Sequence, residues 1–347
     1  MDRFRDILGV IDRPHFPSPA AAERAHFKEW FHFNVLDAGS GAEAIVNLSF
    51  SGDVTVAGGG RADVILLVHR PGAGWCGGIR SFEATAAELE RERLQLRVGD
   101  DVALAYDEGV FRLAVAQPDQ GIRLQATLTP RAEPMLLWND TPLGSGRLNW
   151  LIAPHLTVDG ELTVGGARIA LRQACGYHDH NWGCWRWGDD FGWEWGFAAD
   201  MAREPDEGRT TLVFDRTTDR LGAASYEHTL AVWRGSQLAK VFTRRMLRAQ
   251  RHGRFGGAVP RRPGAARLVA DGAVLTVPRR FAVSARDGAD WLDLEYAVDA
   301  ALQVAVPSDY GFGLVGLNET FGGLQARGVL GGEAVAFGAR ACFEFLG

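Results

Sequence analysis

The chain has 347 residues, 46% of them hydrophobic and 23% charged, with a formal net charge of −6. That composition suits a folded globular protein able to bury its own core, and it excludes a disordered chain. The acidic balance argues against a nucleic-acid binder, because the one basic segment, Arg244 to Arg262, is rich in Gly and carries no aromatic ladder.

Strand-like segments dominate the first half. Glu43–Phe50 is apolar and β-branched, and Val64–Val68 is a short buried run. Leu94–Val98, Phe111–Val115 and Ile122–Leu128 alternate with the period of half-buried strands. Turn signals such as Ser51-Gly52-Asp53, Gly99-Asp100-Asp101 and Asp107-Glu108-Gly109 separate them. Ala84–Arg93 is the best candidate helix, being rich in good helix formers. The second half repeats the style in Thr210–Phe214, His228–Trp233, Ala273–Val277, Trp291–Tyr296 and Ala334–Phe345. Short strands at this spacing predict an all-β protein of two tandem antiparallel barrel or sandwich domains. The expected domains are residues 1–165 and 166–347.

The four cysteines, Cys76, Cys175, Cys184 and Cys342, are scattered and form no CxxC pair, so neither a zinc ribbon nor a disulfide framework is expected. The first residues lack the apolar core of a secretory signal, and no apolar run is long enough for a transmembrane helix. The expected location is the cytoplasm. The arginine-rich segment reads as a solvated loop, with transient contact at an anionic membrane surface as its functional alternative.

The densest chemical constellation is Gly176-Tyr177-His178-Asp179-His180-Asn181-Trp182-Gly183. Five of the 11 tryptophans fall between Trp182 and Trp195: Trp182, Trp185, Trp187, Trp193 and Trp195. In a strand, His178, His180 and Trp182 share one face, and Tyr177, Asp179 and Asn181 the other. Imidazole moves protons near neutral pH, and an indole face stabilises a cation. The plain alternative is a buried β core with hydrogen-bonded His and Asp. His178 and His180 also form a metal half-site that Glu194, His228 or Asp215 would complete, but nothing in the spacing demands it, and no metal or cofactor is expected. Glu194, between two tryptophans, is either an acid of raised pKa or a surface carboxylate. Asp215 ends an apolar run and either enters a cavity mouth or begins a turn. His32, in Trp30-Phe31-His32-Phe33, is a substrate-contact candidate with a core role as the alternative. The chain has no GxSxG elbow, no GxxxxGK[ST] loop and no GxGxxG after a strand, which removes support for serine hydrolysis, phosphoryl transfer and nicotinamide chemistry.

The octapeptide Gly176–Gly183 and the aromatic tract after it resemble the central signature of the carotenoid 1,2-hydratase family, also called hydroxyneurosporene synthase or AttH-like. Glu29-Trp30-Phe31-His32-Phe33 before Asp37 and Gly39 resembles that family's N-terminal strand. The resemblance implies two lipocalin-like domains with a ligand site near their junction, and apolar isoprenoid or polyketide substrates. It implies hydration or cyclisation. The family's catalytic His-x-Trp pair matches His180 and Trp182. Its later Tyr-x-Asp pair has Val213-Phe214-Asp215 as nearest counterpart, which lacks the tyrosine.

The expected mechanism is hydration of a carbon–carbon double bond. Asp179 or Asp215 gives the proton, Trp182 and its neighbours stabilise the cation, and His180 activates water. Tyr177, His178, Asn181, Trp185, Trp187, Trp193, Glu194, Trp195 and His32 contact the substrate. Asp179 and His180 face opposite ways in a regular strand, so this scheme needs a bulge between Gly176 and Gly183. A cyclase or isomerase, or a non-catalytic carrier of apolar ligands, are the rival readings. The sequence leaves the oligomeric state open.

Overall fold

A computed structural model describes residues 2–16, 24–203, 208–263, 277–311 and 313–346. The chain divides into two compact units, Met1–Arg186 and Trp187–Gly347.

The first unit opens with helix α1 (Asp2–Ile11). Pro14 soon after cannot extend a helix, and the Asp12 N–H closes the last turn on the Leu8 carbonyl at 2.9 Å. Twelve strands follow. They are β1 (Phe27–Leu36), β2 (Glu43–Gly52), β3 (Gly60–Arg70), β4 (Gly74–Glu83), β5 (Ala87–Leu89) and β6 (Gln95–Val98). Then come β7 (Val102–Asp107), β8 (Val110–Gln117), β9 (Ile122–Pro130), β10 (Met135–Leu143), β11 (Gly146–Val164) and β12 (Ala167–Cys184). They form one antiparallel sheet in the order β4-β3-β2-β1-β12-β11-β9-β8-β7-β6-β5, with β10 beside β11. The sheet curls on itself. The Gln117 side chain of β8 bonds both ways with the Gly78 backbone of β4, at 3.0 and 2.7 Å, and Arg80 pairs with Asp101 at 2.6 Å. Phe31, Phe33, Phe50, Phe111, Leu124 and their neighbours fill its interior, and Leu8 brings α1 into the same cluster.

Among its described residues the second unit has ten strands: β13 (Gly192–Ala199), β14 (Thr210–Thr218), β15 (Ser225–Arg234), β16 (Gln237–Thr243) and β17 (Leu247–Arg254), then β18 (Arg261–Arg262), β19 (Pro278–Asp287), β20 (Asp290–Pro307), β21 (Leu314–Leu330) and β22 (Glu333–Leu346). Their order is β16-β15-β14-β13-β22-β21-β20-β19-β17, antiparallel except for two-residue β18 against β20. Phe214, Phe281, Tyr296, Phe343 and Phe345 centre its core. Gly196 is needed in β13 because a Cβ there would run into the Phe343 ring.

The all-β, two-unit architecture is the expected one, and the strands read from alternation fall where expected. Ala273–Val277 lies outside the described residues apart from Val277. Three details differ. The break between units falls after Arg186 rather than after 165, because β12 pairs along its length with β11 and β1 and so belongs to the first sheet. Ala84–Arg93 is not a helix: a single 3-10 turn, Ala84–Ala86, leads into β5. The arginine-rich stretch is not a plain loop, since Leu247–Arg254 is a strand paired with β19. No helix among the described residues is long and apolar enough to cross a membrane.

Candidate functional site

Strand β12 pairs with β1 without a register shift from Cys175 to Cys184. The bulge needed to bring Asp179 and His180 together is absent from this pairing, so the two residues face opposite ways. The irregularities of the β11–β12 pairing lie elsewhere, with an extra residue in β11 between Ala153 and Leu156 and one in β12 between Leu171 and Ala174.

His178, His180 and Trp182 do share one face, and it is the face that looks into the first unit's core. His180 stacks on Phe31 with ring centroids 4.0 Å apart, and His178 on Phe33 at 4.1 Å. Both imidazoles converge on Asp12, just past α1: His178 Nε2 is 2.9 Å from Oδ2 and His180 Nδ1 is 2.9 Å from Oδ1. The other nitrogens are also engaged, His178 Nδ1 with the His32 carbonyl and His180 Nε2 with Glu29 Oε1, each at 2.9 Å. The His15 N–H donates to Glu29 at 2.6 Å, and the His15 ring stacks on Trp182 at 4.0 Å and 3°.

Burial opposes charge on His180, but its hydrogen bonds to Asp12 and Glu29, and their charges, push the imidazole up to about 9. Burial would raise Asp12, yet the charges and hydrogen bonds of His178 and His180 hold it below the usual carboxylate range. Burial raises Glu29, against its hydrogen bond to His180. His15 is lowered to about 4, by burial and then by the charge on His180. An imidazole that is wholly buried, protonated and bonded at both nitrogens has no lone pair to offer water. This geometry speaks against the water-activating role expected of His180, and against a substrate contact at His178. The same four nitrogens are the ones a metal half-site would use. The cluster ties α1 to the sheet.

The opposite face of β12 carries Tyr177, Asp179 and Asn181, all buried. Their partners across β1 are Asn34, His32 and Trp30. Asn181 Nδ2 donates to Asp179 Oδ1 at 2.7 Å. Burial lowers His32 to about 3, the Asn34 hydrogen bond opposing it, so the ring is neutral. Its Nε2 lies 3.0 Å from Asn34 Oδ1 and its Nδ1 3.4 Å from Asn47 Nδ2, which assigns the proton to Nε2. Beyond the strand, Trp185 packs edge-on to Trp30 at 5.1 Å, and the buried Lys28 ammonium donates to the Trp185 carbonyl at 2.7 Å. This face gathers four of the predicted site residues, Tyr177, Asp179, Asn181 and His32, which sequence periodicity alone could place.

In the second unit, the side of β13 away from the core carries Trp193 and Trp195. Trp195 lies directly across from Asp215 of β14 on one side and from Glu344 of β22 on the other. Glu319 of β21 continues the row opposite Glu344. Asp215 is therefore a mid-strand residue, wholly buried, and not the start of a turn. Trp193 Nε1 donates to Glu344, and its ring lies 5.7 Å from both Trp187 and Phe191. The Trp187 N–H donates to Asp309 at 2.6 Å.

Glu194 points the other way, into the core side, where Arg216 Nε meets it at 2.7 Å and Arg251 binds the same carboxylate. It is neither a surface residue nor a contact on the tryptophan face, so its expected place among the substrate-binding residues is corrected. Sequence reasoning missed Asp12, Glu29, Glu319 and Glu344 as site candidates. The available signal was an acidic residue at an otherwise apolar strand position, as in Phe343-Glu344-Phe345.

No protein-family model and no curated protein sequence matches the chain. Solved structures do. A candidate AttH from Nitrosomonas europaea superposes with a TM-score of 0.64 at 14% identity, covering 95% of this chain and 96% of that one. Kievitone hydratase from Nectria haematococca gives 0.57 at 12% identity, over 97% and 94% of the two chains. CghA gives 0.59 at 12%, over 92% and 87%. At these identities the likeness concerns the fold: across nearly its whole length, the chain has the two-unit, lipocalin-like β fold of these proteins.

Proposed function

We propose that the protein is a cofactor-free enzyme that adds water to a carbon–carbon double bond of an elongated apolar substrate of the acyclic isoprenoid class. The observation that carries this reading is the placement of Asp215 directly across from Trp195 on a buried face. Hydration of an unactivated alkene needs a carboxyl group that exchanges protons in a water-poor setting, and a π surface that tolerates a cation beside it. Asp215 with Trp193 and Trp195 supplies both. The fold shared with a protein named as a hydratase supports the reading. His180 and Trp182 act in it by holding β12 to Asp12 and His15, the segment just past α1.

The test is incubation of the purified protein with acyclic polyenes, neurosporene and lycopene among them, in ¹⁸O-labelled water, followed by mass spectrometry. A product heavier by one labelled water supports the proposal. A product of unchanged mass and new retention time points to cyclisation or isomerisation, and a ligand that binds and returns unaltered points to a carrier.

A further inference from the structure

Glu344 sits in one cross-strand row of the second sheet. From β20 to β15 the row reads Leu302, Glu319, Glu344, Trp195, Asp215 and Thr229. It contains no Lys, Arg or His. The nearby cations Arg216 and Arg251 lie with Glu194 on the opposite face. Cys342, two residues earlier on β22, shares this face by strand parity. Glu319 and Glu344 are each about 95% buried, at 5% exposure.

The Glu344 carboxyl receives the Trp193 N–H, and Glu319 lies directly across from it on β21. Two carboxyl groups directly opposite each other in a buried site do not both ionise, so one proton stays between them. Burial raises the Glu344 carboxyl above the usual carboxylate range, in the same direction. The Trp193 indole is meanwhile fixed by its N–H to the carboxyl that holds or shares the proton, and Trp195 lies beside it in the row.

We propose that Glu319 and Glu344 share one proton and are the acid that starts the reaction, leaving Asp215, on the far side of Trp195, as the proton acceptor. This rests on the hydration reading above and reverses the part first expected of Asp215. The O–H bond of the pair breaks as its hydrogen forms a C–H bond with the π electrons of the alkene. The adjacent carbon, now cationic over the indoles, takes a lone pair from water. The proton that water loses passes to Asp215, and return of one proton from Asp215 to the pair through solvent restores the starting state. One alkene and one water give one alcohol.

Infrared spectroscopy of the wild-type protein at neutral pH tests the shared proton directly, without substrate. A carbonyl band of a protonated carboxyl, shifting in D₂O and missing from Glu344→Gln and Glu319→Gln, is the expected result. Both variants should lose turnover by about 10²–10⁴-fold. Absence of the band in wild-type protein overturns the proposal, whatever the variants do. Loss of the band with turnover retained overturns the acid role. A wild-type protein that shows the band but adds water to no polyene sinks the hydration reading and leaves the shared proton standing.

Discussion

His180 Nδ1 lies 2.9 Å from Asp12 Oδ1, joining the middle of β12 to the residue that follows the N-terminal helix. The contact is wholly buried, and the same carboxylate holds His178. The most conspicuous histidines of the sequence thus hold the first unit together.

Asp12→Ala leaves two imidazoles facing a void where their shared carboxylate was. Breaking a buried ion pair in this way costs about 3–5 kcal/mol. Denaturant unfolding should show that loss in the first unit, with the α1 backbone amides losing hydrogen-exchange protection first. An unchanged midpoint would contradict the anchoring role.

Stability should peak near neutral pH and fall on both sides. His180 is raised in the folded state to about 9, so its contribution is complete below its ordinary 6.5 and is lost as pH climbs through 9. That arm is worth about 3 kcal/mol. His15 and His32 are lowered, to about 4 and about 3, so their contribution is present above 6.5 and is lost as pH falls through those values. Unfolding midpoints measured across the pH range should trace both arms, and Glu29→Gln should shrink the alkaline one.

Glu194→Ala should destabilise the second unit by about 3–5 kcal/mol, because it leaves Arg216 and Arg251 beside the core without their carboxylate. Glu194→Gln should cost less, since it keeps one oxygen acceptor. Equal, negligible effects in calorimetry would mean the pairing adds nothing.

Much of the fold is legible in the sequence, because strands that alternate apolar and polar residues, such as Ile122–Leu128, carry their orientation in their period. The opposed faces of β12 follow from the same rule. The contents of each face do not. Asp12 is distant in sequence from His178, and nothing local marks it as the group that uses both imidazoles. Glu344 is visible only once β13, β21 and β22 lie side by side. Glu194 shows the complementary limit: parity sets it apart from Trp193 and Trp195, but only the sheet brings Arg216 and Arg251 to it. The unit boundary was misplaced because β11 and β12 are unusually long, and the turn between them resembles a linker.

Asp215→Asn keeps the shape of the buried face and removes its capacity to take a proton. Turnover should fall by about 10²–10⁴-fold while polyene binding, followed by quenching of tryptophan fluorescence, is retained. Equal loss of binding and turnover would instead make Asp215 a binding residue.

The central claim is met most directly by incubating the wild-type protein with an acyclic polyene in ¹⁸O-labelled D₂O and locating the labels in the product. Acid-initiated hydration predicts one ¹⁸O in a new hydroxyl and one deuterium bound to the neighbouring carbon. A product with the elemental composition of the substrate and neither label would contradict it.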